Sequence, residues 1–322
     1  MAKSVWTQQA SIPPLDDSHL QAPGTRANMN TTSQQNPASS TTPPAGKFVT
    51  VRGKRLHYHD QGAGEPLLLL QGGGPGASGW SNYQRNIGPL SKRYRVITPD
   101  LPGYGQSEPP DRPEQLFGLY AQTMLELLKA LELPSAHVVG NSLGGGTAIK
   151  MALLAPRAVN RLILMGPGGL EPAWTPMPTE GIRRLLAYYA GEGPSREKLR
   201  SFLEIMIYDP SALTDAMLET RYQASIAPAI VANPPVGRSG KAPVEALGQE
   251  DLGSISHETL ILWGRDDRVI PFDCAHTLMS RLPNARLTVF ARCGHWVQWE
   301  KARAFNATVE SFLREDEAAT AA

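Results

Sequence analysis

The chain has 322 residues, 41% of them apolar, with 31 Lys plus Arg against 30 Asp plus Glu and a formal net charge of +1. Its length allows one large domain or two small ones, and its charge balance leaves no surplus field to steer nucleic acid or an acidic partner. Cys274 and Cys293 make no disulfide framework, and no apolar run approaches the ~20 residues a bilayer crossing needs. No basic segment followed by an apolar core opens the chain, so the expectation is a soluble cytoplasmic protein.

Residues 1–46 read as a disordered tail, because "RANMNTTSQQNPASSTTPPAG" has too little aliphatic content to offset the entropy of ordering. From Lys47 the texture changes. "KFVTV" and "RLHYHD" predict a hairpin at a sheet edge. "PLLLL", "RYRVITPD", "AHVVGN", "RLILMG", "TLILWG" and "RLTVF" have the length and β-rich composition of buried parallel strands. Between them "LFGLYAQTMLELLKAL", "GGGTAIKMALLAP", "CAHTLMSRL" and "ARAFNATVESFLRE" read as helices. Strands alternating with helices predict an α/β fold built on a doubly wound, mostly parallel sheet. Residues 170–254 interrupt the rhythm with helical segments such as "TEGIRRLLAYYAG", "SREKLRSFLEIMIYD" and "SALTDAMLETRYQASI". They predict an inserted helical cap on a core of residues 47–169 and 255–316, followed by a short tail, 317–322.

The most informative run is "AHVVGNSLGGGTAIKMA", which holds G-x-S-x-G as Gly140, Asn141, Ser142, Leu143 and Gly144. Behind a strand and ahead of a helix, this pattern makes a sharp turn that exposes a serine hydroxyl. Such a hydroxyl is a weak nucleophile and needs a base, which in turn needs an orienting acid. In this type of fold the chain order is Ser, then Asp or Glu, then His. "LILWGRDDRVIP" supplies Asp266 and Asp267, and "FARCGHWVQWE" supplies His295. Asp267 is chosen as the acid on its place in W-G-x-x-D-x-x-x-P, leaving Asp266 a solvated neighbour. His57 and His59 alternate on one strand face, but a metal site there lacks further ligands at sensible spacing, so none is expected.

The glycine run "LLLLQGGGPGASGWSN" fits neither nucleotide pattern: no lysine follows as in a phosphate loop, and the third glycine of a dinucleotide fingerprint falls one position early. With a serine elbow in the same chain, this loop instead donates one N–H to an oxyanion hole, and the residue after the nucleophile donates the other. Gly73 and Leu143 are the expected donors, with Gly72 and Gly74 as alternatives for the first.

Taken together, "GGGPGASGWSNYQRN", "DLPGYGQSE", "GNSLGGGTA", "RLILMGPGGL", "WGRDDRVIP" and "CGHWVQWEKARAFN" resemble the meta-cleavage product hydrolases, α/β-hydrolases that cut a carbon–carbon bond. The resemblance runs from about Val49 to Leu313. The cap phrases "PTEGIRRL", "SREKLRSFLEIMIYD" and "LTDAMLETRY" are most similar to the branch acting on the seco-steroid ring-cleavage product; the biphenyl-type branch is a close second. The resemblance implies a 2-hydroxy-6-oxohexa-2,4-dienoate as substrate, no metal or organic cofactor, and a homo-oligomer, dimer or tetramer. It also implies that Arg221 holds the substrate carboxylate, that Asn82 and Asn141 make polar contacts to the dienoate, and that Trp296 walls the same end. Gly72 and Gly74 border that site.

Cys293 reads as structural, since nothing near it in sequence activates a thiolate. One departure stands out: Gln71 occupies a position where the family usually carries histidine, and it is expected to brace the oxyanion loop with its side-chain amide. Two other readings stay open. An esterase or proline iminopeptidase-like enzyme shares the triad, and a ligand receptor on a hydrolase fold turns over slowly or once.

Overall fold

A computed structural model describes residues 43–111, 116–236 and 245–315. The expected tails therefore lie outside the described residues up to 42 and beyond 315, while Pro43–Gly46 carry no helix or strand. Eight strands form one sheet: β1 (Lys47–Val51), β2 (Lys54–Gln61), β3 (Pro66–Leu70), β4 (Arg95–Pro99), β5 (Ala136–Asn141), β6 (Val159–Met165), β7 (Thr259–Gly264) and β8 (Ala285–Phe290). Their spatial order is β1-β2-β4-β3-β5-β6-β7-β8. β1 and β2 form the antiparallel hairpin at one edge, β2 joins β4 antiparallel, and every pairing from β4 to β8 is parallel.

The leucine run of β3 explains itself in this arrangement. Parallel strands are covered on both faces, so a clean polar–apolar alternation is lost. Leu68 and Leu70 enter one apolar cluster with Val138, Leu164, Ile261 and Trp263. Leu67 and Leu69 enter the other with Val139, Ile163 and Leu262. The helices outside the insertion are α1 (Gly79–Tyr83), α2 (Ile87–Leu90), α3 (Leu116–Ala130), α4 (Leu143–Leu154), α9 (Cys274–Arg281), α10 (Val297–Glu300) and α11 (Ala302–Leu313). α3, α4 and α9 supply Met124, Ile149 and Leu278 to the first cluster; α2 and α11 supply Ile87, Phe305 and Phe312 to the second.

One strand differs from its expected environment. The composition of "RLTVF" predicts a buried strand, but β8 is the far edge of the sheet, its residues are partly exposed, and Val289 is 39% exposed. An edge strand has one neighbour only, and solvent reaches its open side.

Between β6 and β7 the described residues form α5 (Glu180–Ala187), α6 (Arg196–Met206), α7 (Asp215–Ser225) and α8 (Pro228–Ala232), with no strand among them. Thr179, Ser195 and Thr214 each cap the helix that follows, their hydroxyls accepting from Ile182, Lys198 and Met217 N–H groups. Phe202, Leu203 and Met206 of α6 and Leu218 of α7 join the first cluster, so these helices share its apolar core.

Candidate active site

The chain passes from β3 to β4 on one side of β3 and then returns to β5 on the other side. In open α/β sheets, ligands bind outside the carboxyl ends of strands at such a switch point. The loop Gln71–Ser78 leaves β3 there, and Ser142 follows β5 there.

Ser142 has φ 55° and ψ −114°, a left-handed conformation that a non-glycine residue holds at a cost of about 1–3 kcal/mol. Several backbone bonds hold it. Its N–H donates to Met165 O at 2.9 Å, and its carbonyl accepts from Gly146 and Gly168 at 3.0 and 2.9 Å. The glycines of the elbow are required by contact: a Cβ on Gly140 would lie 2.3 Å from Gly144 O, and one on Gly144 would lie 2.2 Å from Leu70 O. Leu143 opens α4, so its N–H belongs to the first turn and lacks an intrahelical acceptor.

His295 and Asp267 form a buried pair, with Nδ1 of the imidazole 2.7 Å from Oδ2 of the carboxylate. The other carboxylate oxygen, Oδ1, accepts from Val269 and Ile270 N–H at 2.8 and 3.0 Å, which fixes the plane of the acid. An ionised Asp267 can only accept, so Nδ1 carries the proton and Nε2 is left as the acceptor. Asp266 points elsewhere: its Oδ2 accepts from Cys293 N–H at 3.4 Å, and it is about one-third exposed. Asn141 ties the elbow to the base, donating from Nδ2 to His295 O at 3.1 Å and to Met165 O at 3.2 Å, while its buried Oδ1 has no protein partner.

In the glycine loop, Gly72 N–H donates to Asn82 Oδ1 at 3.3 Å and is thereby engaged. Gly73 is held through its carbonyl, which accepts from Tyr104 Oη at 3.0 Å. Gly74 packs against Phe202 and Arg221, so that an added Cβ would lie 2.9 Å from the Phe202 ring and 3.0 Å from Arg221 Nη2. Asn82 is occupied inside the protein. Its Oδ1 also accepts from Trp296 Nε1 at 3.2 Å, and its Nδ2 donates to Ser78 O at 3.0 Å. It links the glycine loop to Trp296 and has no polar atom left unpaired for a ligand.

Arg221, from α7, is 2% exposed. Its Nε and Nη2 donate to Pro75 O at 3.1 and 2.9 Å, its guanidinium lies 5.4 Å from the Trp296 ring, and its Nη1 has no protein partner. Burial pulls its pKa down to about 10, still cationic at neutral pH. A cavity of about 640 Å³ runs between α7 and the α1–β2 region and reaches Arg221 and Trp296. Ser142, Asp267 and His295 do not line it.

Gln71 is fully buried, and neither polar atom of its side chain has a partner, so the expected amide brace is not formed. The bracing is done by its backbone carbonyl, which accepts from Gly144 N–H at 3.0 Å and which any residue supplies. Instead of a metal ligand set, His57 makes a second His–Asp pair, Nδ1 lying 2.7 Å from Asp100 Oδ2. Among the described residues no group of three His, Cys, Asp or Glu side chains is placed to hold a metal. Burial raises the pKa of the Cys293 thiol far above its ordinary value, which makes it inert.

Several neighbours were not picked out from sequence. Gly166, at φ 44°, lets His295 and Asp267 pack against its backbone, where an added Cβ would lie 3.1 and 3.2 Å away. Tyr83 donates to Leu70 O at 2.8 Å, at the start of the oxyanion loop. Tyr104 and Gly166 lie inside the phrases "DLPGYGQSE" and "RLILMGPGGL", but nothing local in those phrases says which atom faces the site.

The pattern of the alpha/beta hydrolase family matches residues 67–308. The chain belongs to that family. This hydrolase is 43% identical over 280 residues, 83% of its length and 96% of the relative's, to the 2-hydroxy-6-oxo-6-phenylhexa-2,4-dienoate hydrolase of Burkholderia cepacia. It is equally identical, over the same shares, to the 2-hydroxy-6-oxononadienedioate/2-hydroxy-6-oxononatrienedioate hydrolase of Comamonas testosteroni. Among solved structures, the meta-cleavage product hydrolase of Pseudomonas fluorescens IP01 superposes with a TM-score of 0.76 at 36% identity, covering 84% of this hydrolase and 98% of that chain. No helix among the described residues is long and apolar enough to cross a membrane.

Proposed function

We propose that this hydrolase cleaves the C5–C6 bond of a 2-hydroxy-6-oxohexa-2,4-dienoate by serine catalysis. The observation that carries the reading is Arg221: a buried guanidinium on the inserted helices, beside the oxyanion loop, with one nitrogen unpartnered. A simple esterase has no need of such a group, whereas the carboxylate of an α-oxo acid is a charged acceptor suited to the unpartnered Nη1. The names of the relatives at 43% identity support the same chemistry.

Hydrolysing a C–C bond requires a carbanion to leave, and the substrate provides for it by tautomerisation. The dienol first becomes the 2,6-dioxo-3-ene, its 2-hydroxyl proton moving to C5 with His295 as carrier. Ser142 Oγ then attacks C6 as His295 Nε2 takes its proton, and the imidazolium is stabilised by Asp267. The C6 oxyanion is held by the N–H groups of Gly73 and Leu143, where losing one donor typically costs about 3 kcal/mol. As the C5–C6 bond breaks, its electrons pass through the enone to the 2-oxo group, which takes the proton from the His295 imidazolium, yielding 2-hydroxypenta-2,4-dienoate and a neutral His295. Water, deprotonated by His295, clears the acyl group from Ser142 as a carboxylic acid.

For the group on the ketone, the relatives' names support a phenyl or a carboxyalkyl substituent, whereas the seco-steroid reading rests on the cap phrases alone. Loss of dienolate absorbance, followed in parallel with the phenyl, nonadienedioate and seco-steroid substrates, tests both levels of the proposal. Turnover is expected, fastest on one of the first two. Steady hydrolysis of p-nitrophenyl esters with no bleaching of any dienolate would instead make the protein an esterase.

A further inference from the structure

His295 is fastened to the inserted helices as well as to the sheet. Its backbone N–H donates to the carbonyl of Met206, the last residue of α6, at 2.7 Å. Two residues beyond Met206, the N–H of Tyr208 donates to Oε2 of Glu300 at 2.7 Å. The other oxygen of that carboxylate, Oε1, accepts from the N–H of Gly294 at 2.8 Å. One side chain thus spans the residue preceding the base and the segment leaving α6. The acid is anchored to the same segment: Arg268, next to Asp267, donates from Nη2 to Glu204 O and Ile207 O at 2.9 and 3.0 Å.

Glu300 is the last residue of α10, which begins two residues after His295, so its backbone moves with the base. Burial raises its pKa, and the amides of Tyr208, Gly294 and Trp296 oppose that shift. Glu300 is half-buried, and the N–H donors around its carboxylate replace the part of its solvation that burial removes. Detaching α6 would deprive Oε2 of the Tyr208 N–H, and the base loop would lose its bond to Met206 at the same time.

We infer that Glu300 is a positioning residue that couples the docking of α6 on the core to the orientation of His295. α6 also carries Phe202, which packs on Gly74 of the oxyanion loop, so a docked α6 sets the base and borders the oxyanion loop together. A substrate that bridges Arg221 and the core holds the helices down by itself. A small ester, which needs only Ser142 and the oxyanion donors, does not, and it depends on the Glu300 bracket. Only the dienoate half of this contrast rests on the function proposed above.

The test compares p-nitrophenyl acetate and the phenyl dienoate in two variants, with rates expressed per active site counted by a serine-directed fluorophosphonate. Glu300→Gln puts an NH2 group against an N–H donor, Tyr208 or Gly294. Tyr208→Pro leaves Glu300 in place and deletes only the N–H on the inserted segment. Ile207 already has the extended conformation (φ −120°, ψ 157°) that precedes proline. Losing a hydrogen bond to a charged group is worth roughly tenfold or more. The expected result is therefore about a tenfold fall in kcat on the acetate ester in both variants, with KM nearly constant and a distinctly smaller fall on the dienoate. Equal losses per active site on the two substrates would overturn the inference. So would unchanged ester turnover, or a deficit fully explained by fewer titratable sites. If the parent enzyme hydrolyses the ester but not the dienoate, the proposed substrate fails, and the ester rates alone still decide the role of Glu300.

Discussion

Gln71 sits at the first position of the glycine loop after β3 with a fully buried amide that makes no hydrogen bond to protein. A buried polar group left unpaired costs about 1–3 kcal/mol, while replacing it with an apolar group of similar shape is neutral or stabilising. Gln71→Leu is therefore expected to raise the unfolding free energy by about 1 kcal/mol, measured by urea denaturation, and to leave ester turnover intact. A loss of stability would show that the amide has a partner. Asn82 makes the opposite case: its oxygen serves both Gly72 and Trp296, so the same side-chain amide group is fully used a short way along the chain. Nothing in the sequence around the two residues separates them, because the difference lies in which distant atoms come within 3.3 Å.

At the scale of the element, the turn from β5 into α4 was the most legible part of the chain. Its chemistry is local: the turn around a serine at positive φ is so tight that the positions two residues to either side have no room for a Cβ, and the G-x-S-x-G spacing records that constraint directly. The same strain yields a prediction. Glycine adopts φ near 55° freely, but alanine does not. Ser142→Gly and Ser142→Ala are both expected to abolish turnover, and Ser142→Gly should be the more stable by about 1 kcal/mol, read as a higher thermal midpoint. The reverse order would show that the elbow is not under backbone strain. Strands with two covered faces were equally legible, as the leucines of β3 show. β8 was not, because "RLTVF" has the composition of an interior strand and only its place in the sheet exposes it.

At the scale of the molecule, the order β4-β3-β5 decides where the site lies. It brings the loop after β3 and the turn after β5 to one edge of the switch point, and the parallel strands β6, β7 and β8 follow. The loop leaving β7 then supplies Asp267 and the segment after β8 supplies His295. Exchange with solvent reports the same architecture. Amide hydrogens of β3, β5 and β6, with paired neighbours on both sides and both faces covered, are expected to exchange last. Those of β1 and β8 are expected first among the strands, and slower exchange in β8 than in β5 would count against the strand order.

Read alone, the chain determined the alternation of strands and helices, the strained turn at Ser142 and the pairing of Asp267 with His295. Each of these follows from short-range rules: burial on both faces of a strand, the backbone freedom of glycine, and the spacing of a strand-end loop. Only the tertiary structure decided that Gln71 is unpaired, that Asn82 is spent on Gly72 and Trp296, and that Glu300 joins Tyr208 to Gly294. Of these contacts, Tyr208–Glu300 and Asn82–Trp296 join residues 92 and 214 positions apart, where a displacement of about an ångström makes or breaks a hydrogen bond. No local pattern of residue types encodes so fine a distance.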